Sequence, residues 1–383
     1  MTSRGSRILT LDLMRGYLLL VILVDHLAKF PGFFEIFTGK GWLWVSAAEG
    51  FFLISGIMVG LLRGRQAKEK GMNFVTRKIL KRSGELYVWG AALTILFTVV
   101  GWAVITNPGL KDGIATFSFG EVIWRTLTLQ YIYGWADFLV YYAVFMAFSP
   151  IALWLLVKKK GWLVLAGSIA VWMFREQTVF AALQILFFTG IVAGYYLPRL
   201  QEKWRSLSIA ARGYAKGALY SVTAISAILS VGVVHGREWL GHLNLSSSVI
   251  YSFFNLVNQY TADLFDKWTM DPGRVVLSLV WFTAIYFLFR ANEQRILKYF
   301  GWLLLPLGQN SLQVYIAQSF IVFAAWLIWP YSQGFIMNVV LNVLCIGVLA
   351  DIIYVYTHGR QPGYPPGRYL KDRIFNSRLR TNR

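Results

Sequence analysis

Ten stretches of this 383-residue chain are apolar over about the twenty residues a helix needs to cross a bilayer. That single feature limits the fold more than any motif. The stretches fall at roughly 8–28, 42–62, 83–106, 135–157, 161–176, 179–197, 217–235, 273–290, 308–329 and 335–357. In hydrocarbon every backbone polar group must be satisfied within its own segment, so such runs fold as helices. The weakest are 161–176, which is short, and the end of 308–329, where Trp329-Pro330 breaks the pattern. The first run is expected to remain as a span and not to be cut off as a leader. Asp12 and Arg15 interrupt it, and Lys29 follows with no small-residue cleavage pattern.

Composition agrees. Apolar residues make up 57% of the chain and charged residues only 14%, against about a quarter in a soluble protein. The net charge of +19 would suit a nucleic-acid binder only if the cations shared one exposed face. They do not. With the N terminus inside, 28 of the 37 Lys and Arg lie in the connections on that side and 8 on the other, with Arg15 inside the first span. The asymmetry orients the chain and predicts an all-α, polytopic membrane helix bundle of about ten transmembrane helices, N-in and C-in. Its expected home is the inner (cytoplasmic) membrane as a multi-pass protein, with lipid as partner and no nucleic acid. Residues 1–357 read as a single transmembrane domain and 358–383 as a basic cytoplasmic tail attracted to anionic lipid. The one cysteine, Cys345, excludes an internal disulfide and a thiolate zinc site. His235 and His242 lack a third ligand nearby, so no metal site is expected.

Ionisable groups at bilayer depth are costly and point to function by default. The first span carries Asp12, Arg15, Asp25 and His26. Eleven positions separate Arg15 from His26, which is three turns plus roughly 20°, so both leave one helix face about 16 Å apart. Asp12 sits three residues before Arg15 and can pair with it. Glu49 opens the second span at a depth comparable to His26. It can orient that imidazole as general-base chemistry requires, or pair with an Arg or Lys from another helix as packing. Small residues at 47, 48, 50, 55, 56 and 60 allow a close helix approach. Asp137 opens the fourth span among Tyr131, Tyr133, Trp135, Tyr141 and Tyr142, a platform for a sugar or an interfacial aromatic belt. Ser55, Asn310, Ser311 and Gln318 are candidate oxyanion donors. The stretch 63–82 is read as a basic loop whose Arg77, Lys78, Lys81 and Arg82 can meet phosphates.

Arg15, ten residues and then His26 resembles the Arg-x10-His signature of the membrane acyltransferase-3 superfamily. Leu11-Asp12-Leu13-Met14-Arg15-Gly16 through Asp25-His26, with Ala47-Ala48-Glu49-Gly50-Phe51 and Ile54-Ser55-Gly56, resembles more closely its OpgC branch. Tyr131-Ile132-Tyr133-Gly134-Trp135-Ala136-Asp137, Leu264-Phe265-Asp266-Lys267 with Pro272-Gly273-Arg274, and Leu307-Gly308-Gln309-Asn310-Ser311-Leu312 extend the likeness to about residue 320. Family members often carry a histidine where this chain has Gln318. The resemblance implies transfer of an acyl group, succinyl being the candidate, from cytoplasmic acyl-CoA to a hydroxyl of an extracytoplasmic glycan. Acyl-CoA is then a co-substrate and no cofactor is held permanently. His26 would be the base with Asp25 or Glu49 orienting it, while Arg15 and Asp12 steady the donor and Asp137 the acceptor. Ser55 and Gln318 also face substrate on this reading. Two rivals remain: a transporter or translocator using the buried charges as an ion or proton relay, and an inactive family member for which Gln318 is the hint.

Overall fold

The computed structural model describes residues 8–39, 41–104, 117–242 and 249–358, and these are helical with no strand among them. In chain order the helices are α1 Leu9–Leu27, α2 Phe33–Thr38, α3 Ala47–Met58, α4 Gly64–Lys70, α5 Met72–Ala103, α6 Phe119–Leu127, α7 Asp137–Val157 and α8 Gly161–Trp172. They continue with α9 Val179–Ser206, α10 Ile209–His242, α11 Val249–Leu264, α12 Pro272–Ala291, α13 Glu293–Gln309, α14 Ser311–Ile328 and α15 Phe335–His358. A π-helical turn, Val59–Arg63, joins α3 to α4 without a break.

Among the described residues, eight helices are long and apolar enough to cross a membrane: 47–70, 72–103, 137–157, 179–206, 209–236, 272–291, 311–328 and 335–357. The chain is a multi-pass membrane protein. Two of the ten expected spans fall short for separate reasons. Helix α1 has the length, but Asp12, Arg15 and Asp25 crowd any eighteen-residue stretch of it. Helix α8 is only 12 residues, about 18 Å against a hydrocarbon core of about 30 Å.

Two connections between the expected spans, 63–82 and 236–272, are mostly helix. In 63–82 only Gly71, at φ +83°, interrupts helix, and the left-handed geometry there suits a residue without Cβ. The long connection 236–272 holds the end of α10 and all of α11, which exposes Phe253, Leu256 and Tyr260 and buries nothing. The tail 359–383 lies outside the described residues.

The helices group into two compact units, one drawing on residues up to 34 and beyond 285, the other on the described residues of 35–103 and 113–285. In the latter, α3 and α9 meet backbone to backbone. A Cβ added at Gly56 would overlap the Phe187 carbonyl, and one at Gly60 the Ile191 carbonyl. From the other side, Gly190 and Gly194 abut the carbonyls of Leu53 and Ile57. Glycines four residues apart on both helices therefore make one seam, the arrangement by which apolar helices associate where no hydrophobic force separates them from lipid. Gly60→Leu is expected to wedge this seam apart, lowering the thermal midpoint of purified protein by the equivalent of about 1–3 kcal/mol. Gly213→Leu, a site with open space around it, is the matched control that should leave the midpoint unchanged.

The first unit packs α1 against α13, α14 and α15. Here too glycine brings main chains together, since a Cβ on Gly16 would strike the Leu304 carbonyl and one on Gly308 the Asp12 carbonyl. Around that crossing Leu13, Leu304 and Leu305 form a buried cluster.

Candidate functional site

The first unit gathers the ionisable groups of α1. Asp12 is buried at 2% exposure, while Arg15, Asp25 and His26 are half-buried. The Arg15 guanidinium donates through Nη2 to the hydroxyl of Ser311, at the first turn of α14. Two residues of sequence-level interest are thus joined, since Ser311 was one of several possible oxyanion donors. Below Arg15 the hydroxyl of Thr10 donates to Glu293 of α13, and Arg290 reaches the same carboxylate at 3.2 Å.

The other end of α1 is fastened by its backbone. Trp326 Nε1 donates to the His26 carbonyl at 3.0 Å. Ala28 adopts the left-handed conformation, φ 49°, and ends the helix. Lys29 then turns inward, its ammonium donating to the carbonyls of Trp329 and Tyr331 and sitting 3.6 Å from the Trp326 ring centroid. Burial lowers the Lys29 pKa to about 8, against the opposing pull of Cys345. Asn338 adds a bond to the Pro31 carbonyl at 3.0 Å. Helix α14 therefore meets α1 at two heights, Ser311 at Arg15 and Trp326 at His26. The sequence assigns no role to Lys29, Trp326 or Glu293, because one lysine after a span and one tryptophan near a span end are what any interface carries.

Glu49 lies in the second unit, at 1% exposure, and its carboxylate is fully engaged there. Oε1 accepts from Arg274 Nε at 2.6 Å and also pairs with Nη2, while Oε2 accepts from the Ser46 N–H at 2.9 Å and from the Ser46 hydroxyl. Ser46 and Glu49 thus form the capping box that starts α3. Arg274 spends Nη1 on the Phe265 carbonyl at 3.1 Å. Of the two readings open for Glu49, the structure displays the packing pair. The sequence hint lay in Arg274 itself, a cation two residues into an apolar run.

The remaining candidates are dispersed. Asp137, the first residue of α7, accepts from the Phe138 N–H at 2.6 Å. Ser55 is fully buried and its hydroxyl has no hydrogen-bond partner among the described residues. Gln318 is fully buried as well, with both amide atoms unpartnered. Arg77, Lys78 and Lys81 are exposed on the first turns of α5 and not on a loop; Arg82 beside them pairs with Glu85 at 3.2 Å. Arg175 binds Asp271 at 3.0 Å, closer than its neighbour Glu176 at 3.9 Å. It borders an open cleft of about 410 Å³ lined by Gln130, Tyr141, Gln177, Phe180 and Trp268. One wall is the 266–271 turn. There burial pushes the Asp266 carboxyl up, but bonds from Thr269 and the Trp268 N–H, with the charge of Arg274, hold it below its ordinary value. Trp172 Nε1 ties this turn down at the Met270 carbonyl, 2.9 Å away. Gln184 accepts from the Ser168 hydroxyl at 2.7 Å inside the helix pair α8–α9.

Many apolar helices, with charge buried on α1 and α3 and polar partners held on α14 and α12, define a multi-pass membrane protein organised around intramembrane polar groups. A family model described as OpgC protein matches residues 7–361. The chain belongs to the OpgC family. No curated protein and no solved structure matches it.

Proposed function

We propose that this chain is a membrane O-acyltransferase of the acyltransferase-3 type. It would move an acyl group, with succinyl the first candidate, from cytoplasmic acyl-CoA to a hydroxyl of an extracytoplasmic glycan in the inner membrane. The observation that carries the reading is the α1 face with Arg15 at one height and His26 at another, Arg15 being anchored on Ser311. Membership of the OpgC family suggests a transferase and supports the same choice.

The chemistry follows from those groups. His26 takes the proton of the acceptor hydroxyl as its oxygen attacks the thioester carbonyl. The tetrahedral oxyanion collapses, the carbon–sulfur bond breaks, and the CoA thiolate leaves to be protonated. Asp25, the residue before His26 on α1, is the carboxylate proposed to stabilise the imidazolium. Glu49 serves the fold through its Arg274 pair, since its oxygens are already committed. Arg15, with Asp12 beside it, steadies the donor. The exposed Arg77, Lys78 and Lys81, with Arg82, raise the local concentration of the anionic nucleotide. Asp137 and its tyrosines are the proposed contact for acceptor sugar. Membranes holding the protein, given succinyl-CoA and a glucan, are expected to release free CoA thiol in proportion to acylated glucan. Thiol release without acylated product, or neither, rejects the proposal, and neither is what a transporter gives.

A further inference from the structure

Gln318 is 0% exposed, and among the described residues it is the one side chain with two buried, unpartnered hydrogen-bonding atoms. Native proteins rarely leave such groups unpaired, and at membrane depth no bulk water can rescue them. Its place on α14 is defined by two neighbours that touch α1. Taking Ser311 as zero, Gln318 lies at about −20° around the helix and Trp326 at about +60°. Ser311 holds Arg15 and Trp326 holds the His26 carbonyl. Gln318 therefore points into the same sector, roughly 10 Å along the axis from Ser311 and 12 Å short of Trp326. That height lies between Arg15 and His26. The α1 face there is Leu19 and Ile22, at 0% and 6% exposure, and neither side chain offers a hydrogen bond.

We infer that Gln318 is a binding residue for a secondary amide in an extended ligand lying along the α1–α14 seam. A carboxamide carries one acceptor and two donors and pairs with both the N–H and the C=O of such an amide. The pantetheine arm of acyl-CoA has this chemistry, a slim apolar chain interrupted by secondary amides. The inference rests on the acyl-CoA reading for its choice of ligand, but not for the unsatisfied amide. Full burial means that the seam parts to admit the arm. Pairing an amide that has no partner in the closed seam favours the opened, occupied state.

Two measurements on the intact protein in detergent test it. In the first, pantetheine raises the thermal midpoint of the wild type, and butanethiol, of comparable thinness without an amide, does not. Gln318→Leu, with Gln318→Met as a second variant of similar volume, loses the pantetheine shift while its unliganded midpoint stays equal or rises, since an unpaired amide has gone. A pantetheine shift that persists in both variants, or is absent from the wild type, overturns the inference. In the second, the succinyl thioester of N-acetylcysteamine, which keeps an amide, is expected to outperform that of butanethiol as donor to glucan by about tenfold or more, and both variants erase the preference. Transfer with a preference the variants keep also overturns it. A Gln318-dependent pantetheine shift without transfer from any donor upholds the amide site and rejects the transferase reading.

Discussion

His26→Ala is expected to reduce acyl transfer by about 10²–10⁴-fold, the range a general base contributes, with membrane insertion and the fastening of α1 to α14 retained. The second half of that expectation comes from the structure. What α14 grips at this position is the His26 main-chain carbonyl, through Trp326 Nε1 at 3.0 Å. Truncating the imidazole leaves that bond and the Lys29 clamp beyond it in place. The measurement is the initial rate of glucan acylation with purified protein, alongside unfolding monitored in the same detergent. Trp326→Phe is the informative companion. It keeps a ring for the Lys29 ammonium but deletes the donor to His26, so a modest fall in stability should accompany any loss of rate. Full activity in His26→Ala rejects the mechanism, and collapse of the fold in that variant rejects the account of what holds α1.

Glu49→Ala should be the most destabilising of the charge variants, by about 3–5 kcal/mol, because it strands the Arg274 guanidinium in a buried site. At 1% and 7% side-chain exposure neither partner can turn to water. The capping box at the start of α3 goes with it. Arg274→Met alone should cost about as much, by leaving the carboxylate uncompensated. The double variant Glu49→Leu with Arg274→Met removes both charges and should recover most of the loss, since a well-packed apolar pair of similar volume is often as stable as a buried ion pair. Thermal unfolding of the wild type, Glu49→Leu, Arg274→Met and the double variant closes the cycle. Near-additive losses would mean that the two residues stabilise the fold independently and that the pair is not the unit described here. Activity in the double variant carries separate information: transfer retained there would show that the Glu49 carboxylate supports the fold and takes no part in the proton step.

Much of the architecture was legible because membrane helices declare themselves by length. The α14 boundary at Trp329-Pro330 and the opening of α7 at Asp137 follow from local residues alone. Where the reading departed from the structure, the reason is physical. The basic stretch 63–82 continues as helix because Lys, Arg, Glu and Gln are good helix formers, and only Gly71 offers a break. Residues 161–176 carry no charge until Arg175, so composition could not reveal that the helix stops at Trp172.

The candidate site divides along the same line. Arg15 and His26 share a face of α1 because eleven residues of any α-helix make three turns and only about 20° more, so that relation belongs to the sequence. Charge asymmetry and apolar length likewise belong to it, since each depends on residue identity and order alone. Pairing between helices does not. Nothing in a sequence says that Glu49 meets Arg274 across 225 positions, that Arg15 meets Ser311 across 296, or that Trp326 reaches the His26 carbonyl across 300. Those contacts depend on how helices cross, and crossing is set by close-approach glycines such as Gly16 against Leu304 and Gly60 against Ile191. Only after the backbones are that close do short polar side chains find, or in the case of Gln318 fail to find, a partner.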